Sequence, residues 1–114
     1  MIVQQSDTYI KACMQAWLFC ESCIHNEVSK DDPCATLIRE CHQCAQSCFA
    51  VVCQLISNVE AVYDVAFNCI IHCRQCQEEC EKYGYIDDIK YCGEVCAYCA
   101  DKMKDIIVPP FCLN

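Results

Sequence analysis

The chain has 114 residues, enough for one hydrophobic core and too few for two of ordinary size, so a single domain over residues 1–114 is expected. Sixteen acidic against eight basic side chains give a formal charge of −8, which disfavours nucleic acid or an anionic membrane as partner and suits a protein that handles cations. Sixteen cysteines are about 14% of the chain, above the roughly 8–10% that marks a disulfide scaffold or a metal protein.

The stretch MIVQQSDTYIKACMQAW has no basic leader, long apolar run or cleavage-site pattern, so a cytosolic location is expected. Thiols there are kept reduced, and many in one place then point to metal rather than disulfides. No apolar stretch approaches the ~18–20 residues of a membrane span.

Two glycines, three prolines and no sustained period-two alternation predict an all-α chain. The first helix is expected from about Ser6 to Glu27, ending in the polar stretch NEVSKDD; it carries Cys13, Cys20 and Cys23, with Ala16 in the gap of its stripe. The second is expected over 33–56, with Asp32 as N-cap and Pro33 at the first helical position, and carries Cys34, Cys41, Cys44 and Cys48. The third, over 58–83, opens on a capping box of Ser57 and Glu60 and closes where Gly84 takes the left-handed conformation; it carries Cys69, Cys73, Cys76 and Cys80. The fourth, over 87–107, is capped by Asp87 or Asp88 and stopped by Pro109 and Pro110, leaving 108–114 as a tail; it carries Cys92, Cys96, Cys99 and then Met103. Four similar helices with short connections predict an antiparallel four-helix bundle with a cysteine-lined core.

At about 100° per residue, the steps of four, three and four in CIIHCRQCQEEC keep its cysteines within roughly 60° of arc. Pairs across the second and third helices share a register sum of 117 (Cys48 with Cys69, Cys44 with Cys73, Cys41 with Cys76). Pairs across the third and fourth share 172, from Cys80 with Cys92 to Cys69 with Met103. Constant sums mean antiparallel register and predict four layers: Cys23, Cys34, Cys80, Cys92; then Cys20, Cys41, Cys76, Cys96; then Ala16, Cys44, Cys73, Cys99; then Cys13, Cys48, Cys69, Met103. Beyond the last layer the stripes turn apolar with Ile10, Val52, Leu55, Val62, Val65, Ala66, Ile106 and Ile107. The opposite end is expected to be an acidic mouth of Glu27, Asp31, Asp32, Glu81, Asp87 and Asp88, which concentrates cations.

Cysteine can pack as a small hydrophobe, but core leucines replaced by smaller groups cost about 2–5 kcal/mol at the alanine extreme, so an empty tube several layers deep is poorly stable. Zinc is offered four CxxC pairs, yet each zinc with four thiolates carries −2 and the stripes supply no balancing cation. Ferredoxin spacings are absent, and no strand precedes a CxxC as a thioredoxin-like dithiol requires. Cu(I) is soft, thiolate-selective and content with two or three sulfurs, and one Cu(I) per proton lost leaves the core formally neutral. Zinc or iron-sulfur binding and a thiol redox enzyme stand as alternatives to a non-enzymatic Cu(I) store.

The runs CIIHCRQCQEEC and CGEVCAYC, with the cysteine-lined four-helix plan, resemble the bacterial copper storage proteins over nearly the whole chain. The resemblance implies a core filled with several Cu(I) ions on cysteine thiolates, a homotetramer, and for cytosolic members no export signal; the copper donor stays unknown. It makes the fourteen layered cysteines ligands. Cys53 lies about 145° from its helix's stripe and is expected to face a neighbouring helix or subunit, and Cys112, after the prolines, is doubtful as a core ligand. His72 flanks its stripe by about 70° and is a possible auxiliary ligand with Met103, while His25 and His42 read as surface residues. Leu18, Phe67 and Ile71 point away from the sulfur and favour an oligomer.

Overall fold

A computed structural model describes the backbone of residues 3–57 and 62–107 and side chains from residue 7 onward within those ranges. It has four helices, α1 (Val3–Val28), α2 (Ala35–Ser57), α3 (Val62–Glu81) and α4 (Asp87–Ile107), with no strand among the described residues. Each packs on two neighbours, α1 on α2, α2 on α3, α3 on α4 and α4 on α1, closing a four-helix bundle. No helix among the described residues is long and apolar enough to cross a membrane.

The ends of the helices depart from expectation in instructive ways. Helix α2 begins at Ala35, because the Cys34 carbonyl accepts the first helical bond from Ile38 N (3.1 Å); Cys34, not Asp32, is the cap, and Pro33 precedes the helix. Helix α4 likewise starts from the Ile86 carbonyl, bonded by Lys90 N at 2.9 Å, so Asp87 and Asp88 fill its first turn and face the positive end of its dipole instead of capping it. Gly84 is not left-handed, since α3 ends by tightening into successive three-residue turns (Lys82 N to Glu79 O, Tyr83 N to Cys80 O, Gly84 N to Glu81 O) that keep ordinary backbone angles. Glu60 of the capping box, the prolines 109 and 110 and Cys112 lie outside the described residues.

The core divides along its length. Towards one end Val62, Ala66, Leu55, Ile106, Val52 and Tyr9 are buried, with Ile10, Val65 and Ile107 packed against them, which forms the expected apolar end. Between that plug and the α1–α2 and α3–α4 connections the centre of the bundle is mostly sulfur, with Leu37, Ala45, Ile89 and Ala100 buried beside it. Arg74 on α3 bonds Asp101 on α4 at 2.6 Å and pins the outside of that hairpin.

Candidate metal centre

Thirteen of the fourteen layered cysteines are buried, Cys34 is half-buried, and every described cysteine is a free thiol. The 3.6-residue repeat turns the four stripes inward together, so sulfurs from all four helices meet on one axis. The 117-register pairs are in contact: Cys44 with Cys73 at 3.6 Å, Cys48 with Cys69 at 3.7 Å and Cys41 with Cys76 at 3.8 Å. Four groups bring their sulfurs within 4.8 Å of one another: Cys13, Cys48, Cys69, Cys99; Cys20, Cys44, Cys76, Cys96; Cys20, Cys41, Cys76, Cys92; and Cys44, Cys48, Cys73.

These groups correct the layer scheme. Cys99 stands with Cys13, Cys48 and Cys69, where Met103 was expected, while Met103 is buried and touches Cys13 at 3.8 Å. Cys44 joins Cys20, Cys76 and Cys96. Ala16 is the physical reason: with no sulfur from α1 at that level, Cys99 turns towards Cys13 (3.8 Å) and Cys48 (3.9 Å), and Cys44 turns towards Cys96 (3.6 Å). A step of three or four residues rises about 4.5–6 Å, little more than a sulfur–sulfur contact, so neighbouring layers merge into a column.

Cys34 leaves its layer altogether. Its backbone N–H donates to Glu27 Oε1 (2.9 Å) and its thiol lies 2.9 Å from the Tyr83 hydroxyl, which is drawn up to about 12 chiefly by that contact. Cys23 and Cys80 are buried but belong to no four-sulfur group. Cys53 is exposed, as are His25 and His42. His72 is half-buried, stands outside every sulfur group, and its Nδ1 is buried without a hydrogen-bond partner.

The mouth is less openly acidic than its sequence reads. Asp31, Asp32, Glu81, Asp87 and Asp88 are exposed, but Glu27 is buried and held by Lys30 at 2.8 Å; Glu79, also buried, is held by Lys82 at 3.0 Å. The spacing that signals both pairs, Glu-x-x-Lys at Glu27 and again at Glu79, was there to be read. Tyr83 gave no sequence signal, because its partner Cys34 is 49 positions away.

Crowding sorts the thiols electrically. Hydrogen bonding among neighbours, then burial, holds Cys20, Cys48 and Cys73 well above the usual thiol range. Bonds from Cys20 and Cys41 instead draw Cys76 down to about 7, and bonds from Cys13 and Cys48 draw Cys99 down to about 6. Bonds from their neighbours hold Cys44, Cys69 and Cys92 below the usual thiol range as well, so each four-sulfur group contains two thiols prepared to ionise and offer thiolates to a metal: Cys69 with Cys99, Cys44 with Cys76, and Cys76 with Cys92. No lysine, arginine or histidine is buried among the described residues, so further thiolate charge must be balanced by the metal itself.

Reduced thiols from four helices, gathered in a water-excluded column, define a helical-bundle metal-binding protein. A family model described as copper storage protein matches residues 2–107, and the chain belongs to that family. Neither a curated relative nor a solved structure matches it.

Proposed function

We propose that the chain, acting as a single domain, is a cytosolic, non-enzymatic store that buffers Cu(I) and assembles as a homotetramer. The ligands are Cys13, Cys20, Cys23, Cys34, Cys41, Cys44, Cys48, Cys69, Cys73, Cys76, Cys80, Cys92, Cys96 and Cys99, with Met103 closing the inner end. The observation that carries the reading is the sharing of sulfurs: Cys20 and Cys76 each belong to two four-sulfur groups, and Cys44 and Cys48 to a group of four and a group of three.

Distance alone does not separate metals, because a tetrahedral zinc site with Zn–S of about 2.3 Å has sulfur edges of about 3.8 Å. Sharing does separate them. The two four-sulfur groups that hold Cys20 and Cys76 can both take zinc only if those two thiolates bridge, which leaves net negative charge in a core without buried cations, so complete, unshared zinc sites number two. Thiolates that bridge Cu(I) ions suffer no such restriction, and one Cu(I) per thiolate keeps a core without buried cations neutral.

Anaerobic titration of the reduced protein with Cu(I), against a strong competing chelator, is expected to give uptake approaching the number of core thiols. An end point at about one or two equivalents would sink the storage reading. Zinc titrated in parallel is expected to stop near two.

A further inference from the structure

The sulfur column is continuous, but its continuity depends on one residue. On the mouth side, Cys20 touches Cys76 (3.9 Å), Cys92 (3.9 Å) and Cys96 (3.7 Å), and Cys76 touches Cys41 (3.8 Å). On the inner side, Cys48 touches Cys69 (3.7 Å), Cys73 (3.9 Å) and Cys99 (3.9 Å), and Cys99 touches Cys13 (3.8 Å). Among the described contacts, the two sets meet only through Cys44, which lies 3.6 Å from Cys96 on one side and 3.6 Å from Cys73 on the other. Cys44 alone belongs both to a group of the mouth set and to one of the inner set.

The bottleneck has a cause in the sequence. Ala16 occupies the position at which α1 would supply a sulfur to the same level, and it is fully buried, so neither a second thiol nor water offers a parallel route there. Approach from outside is equally one-sided. The far end of the inner set is sealed by the apolar plug of Val62, Ala66, Leu55 and Ile106. Among the described residues, a surface groove of about 330 Å³ between α3 and α4 reaches Cys80 and one of about 120 Å³ between α1 and α4 reaches Cys23, both on the mouth side of Cys44.

We propose that the store is two compartments in series, an outer one next to the mouth and an inner one against the plug, and that Cys44 is the relay thiol through which every metal ion passes between them. The inference rests on the Cu(I) storage reading and adds an order of filling and emptying to it. The relay is ligand exchange without electron transfer. A Cu(I) bound to Cys96 gains a bond to Cys44 sulfur as the Cys44 thiol proton is lost; the bond to Cys96 breaks, and the proton ends on the Cys96 sulfur. The same exchange then carries the ion from Cys44 to Cys73, so each Cu(I) moving inward is matched by one proton moving outward and the core stays neutral. The outer compartment is then the rapidly exchanging pool and the inner one the reserve.

The test follows Cu(I) loading of the reduced full-length chain in wild type, Cys44→Ser and Cys69→Ser, by native mass spectrometry and by the Cβ NMR shifts of cysteine-labelled protein. Serine keeps the size of the side chain but is a poor Cu(I) ligand, and Cys69 is equally buried but off the through-route. In Cys44→Ser the signals of Cys20, Cys41, Cys76 and Cys92 are expected to shift at the wild-type rate. Those of Cys13, Cys48 and Cys99 should lag at least about tenfold, equivalent to about 1.4 kcal/mol on the barrier. Cys69→Ser, which removes an inner ligand but not the link, is expected to lower the capacity of the inner set without the lag in Cys13, Cys48 and Cys99. Equal filling of both sets in Cys44→Ser overturns the relay while leaving storage intact, whereas a wild type that takes up only one or two ions overturns storage itself. If Cys44→Ser does not fold, Ala16→Cys supplies a parallel sulfur at that level and is expected to speed inner filling; an unchanged inner rate in that variant overturns the proposal.

Discussion

Glu27 shows how one side chain at the mouth ties the chain's path to the position of a cysteine. Its two oxygens hold Lys30 and the N–H of Cys34, so it closes the α1–α2 connection and satisfies a donor at the start of α2 in one contact. Burial pushes its carboxyl up, but the hydrogen bonds from Lys30 and Cys34 and the Lys30 charge outweigh that and leave it below the usual carboxylate range. A depressed folded pKa contributes stability that is present above the unfolded value, about 4.3, and is lost as pH falls through the folded one. Urea unfolding of the metal-free, reduced protein is therefore expected to show Glu27→Gln less stable than wild type by about 1–3 kcal/mol at pH 7, with the gap narrowing below about pH 4.3. A gap that stays constant to pH 3 would show that the carboxylate charge is not what holds this connection.

At the scale of the helix, the stripes were legible because the α-helical repeat leaves no choice. Cysteines at steps of four, three and four share a face wherever the helix forms, and Cys69, Cys73, Cys76 and Cys80 are all buried. What escaped the sequence were contacts set by the crossing of helices and by their ends: Cys34 drawn out of its layer by its capping position, and Cys44 made a bridge by an alanine on another helix. The two glycines make the same point. They look alike in sequence, but a Cβ on Gly93 would lie 2.9 Å from Cys80 Cβ on the facing helix α3, whereas on Gly84 it would meet only Glu81 O at 3.5 Å. Gly93→Ala is expected to lower stability by about 1–2 kcal/mol, because the helices must part by more than the helix propensity gained can offset. Gly84→Ala, at ordinary backbone angles, should raise it by about 0.4–1 kcal/mol through the unfolded chain. Chemical denaturation of both variants distinguishes close packing from turn geometry as the reason for each glycine.

At the scale of the molecule, a bundle that gives much of its interior to sulfur also exposes large apolar side chains outside. Phe49 and Ile56, 57% and 73% exposed, flank Cys53 on α2 at helical spacing; Tyr63, Phe67 and Ile71 repeat every four residues along α3, with Phe67 59% exposed. Leu18 and Met14 on α1 add to these, so the apolar residues form stripes rather than scattered points. Two stripes on two different helices suit two different twofold contacts, which together generate a dimer of dimers. Burying each phenylalanine is worth about 1.5–3 kcal/mol, and a twofold contact counts it twice, so a single charge on a stripe has leverage over the whole assembly. Sedimentation of the wild-type protein is expected to give a tetramer, Phe67→Glu a dimer, and Phe67→Glu with Phe49→Glu a monomer, all with the same Cu(I) capacity per chain. A wild type that sediments as a monomer at every concentration would leave these stripes without partners. Unchanged capacity in a monomeric variant would place storage wholly within one bundle.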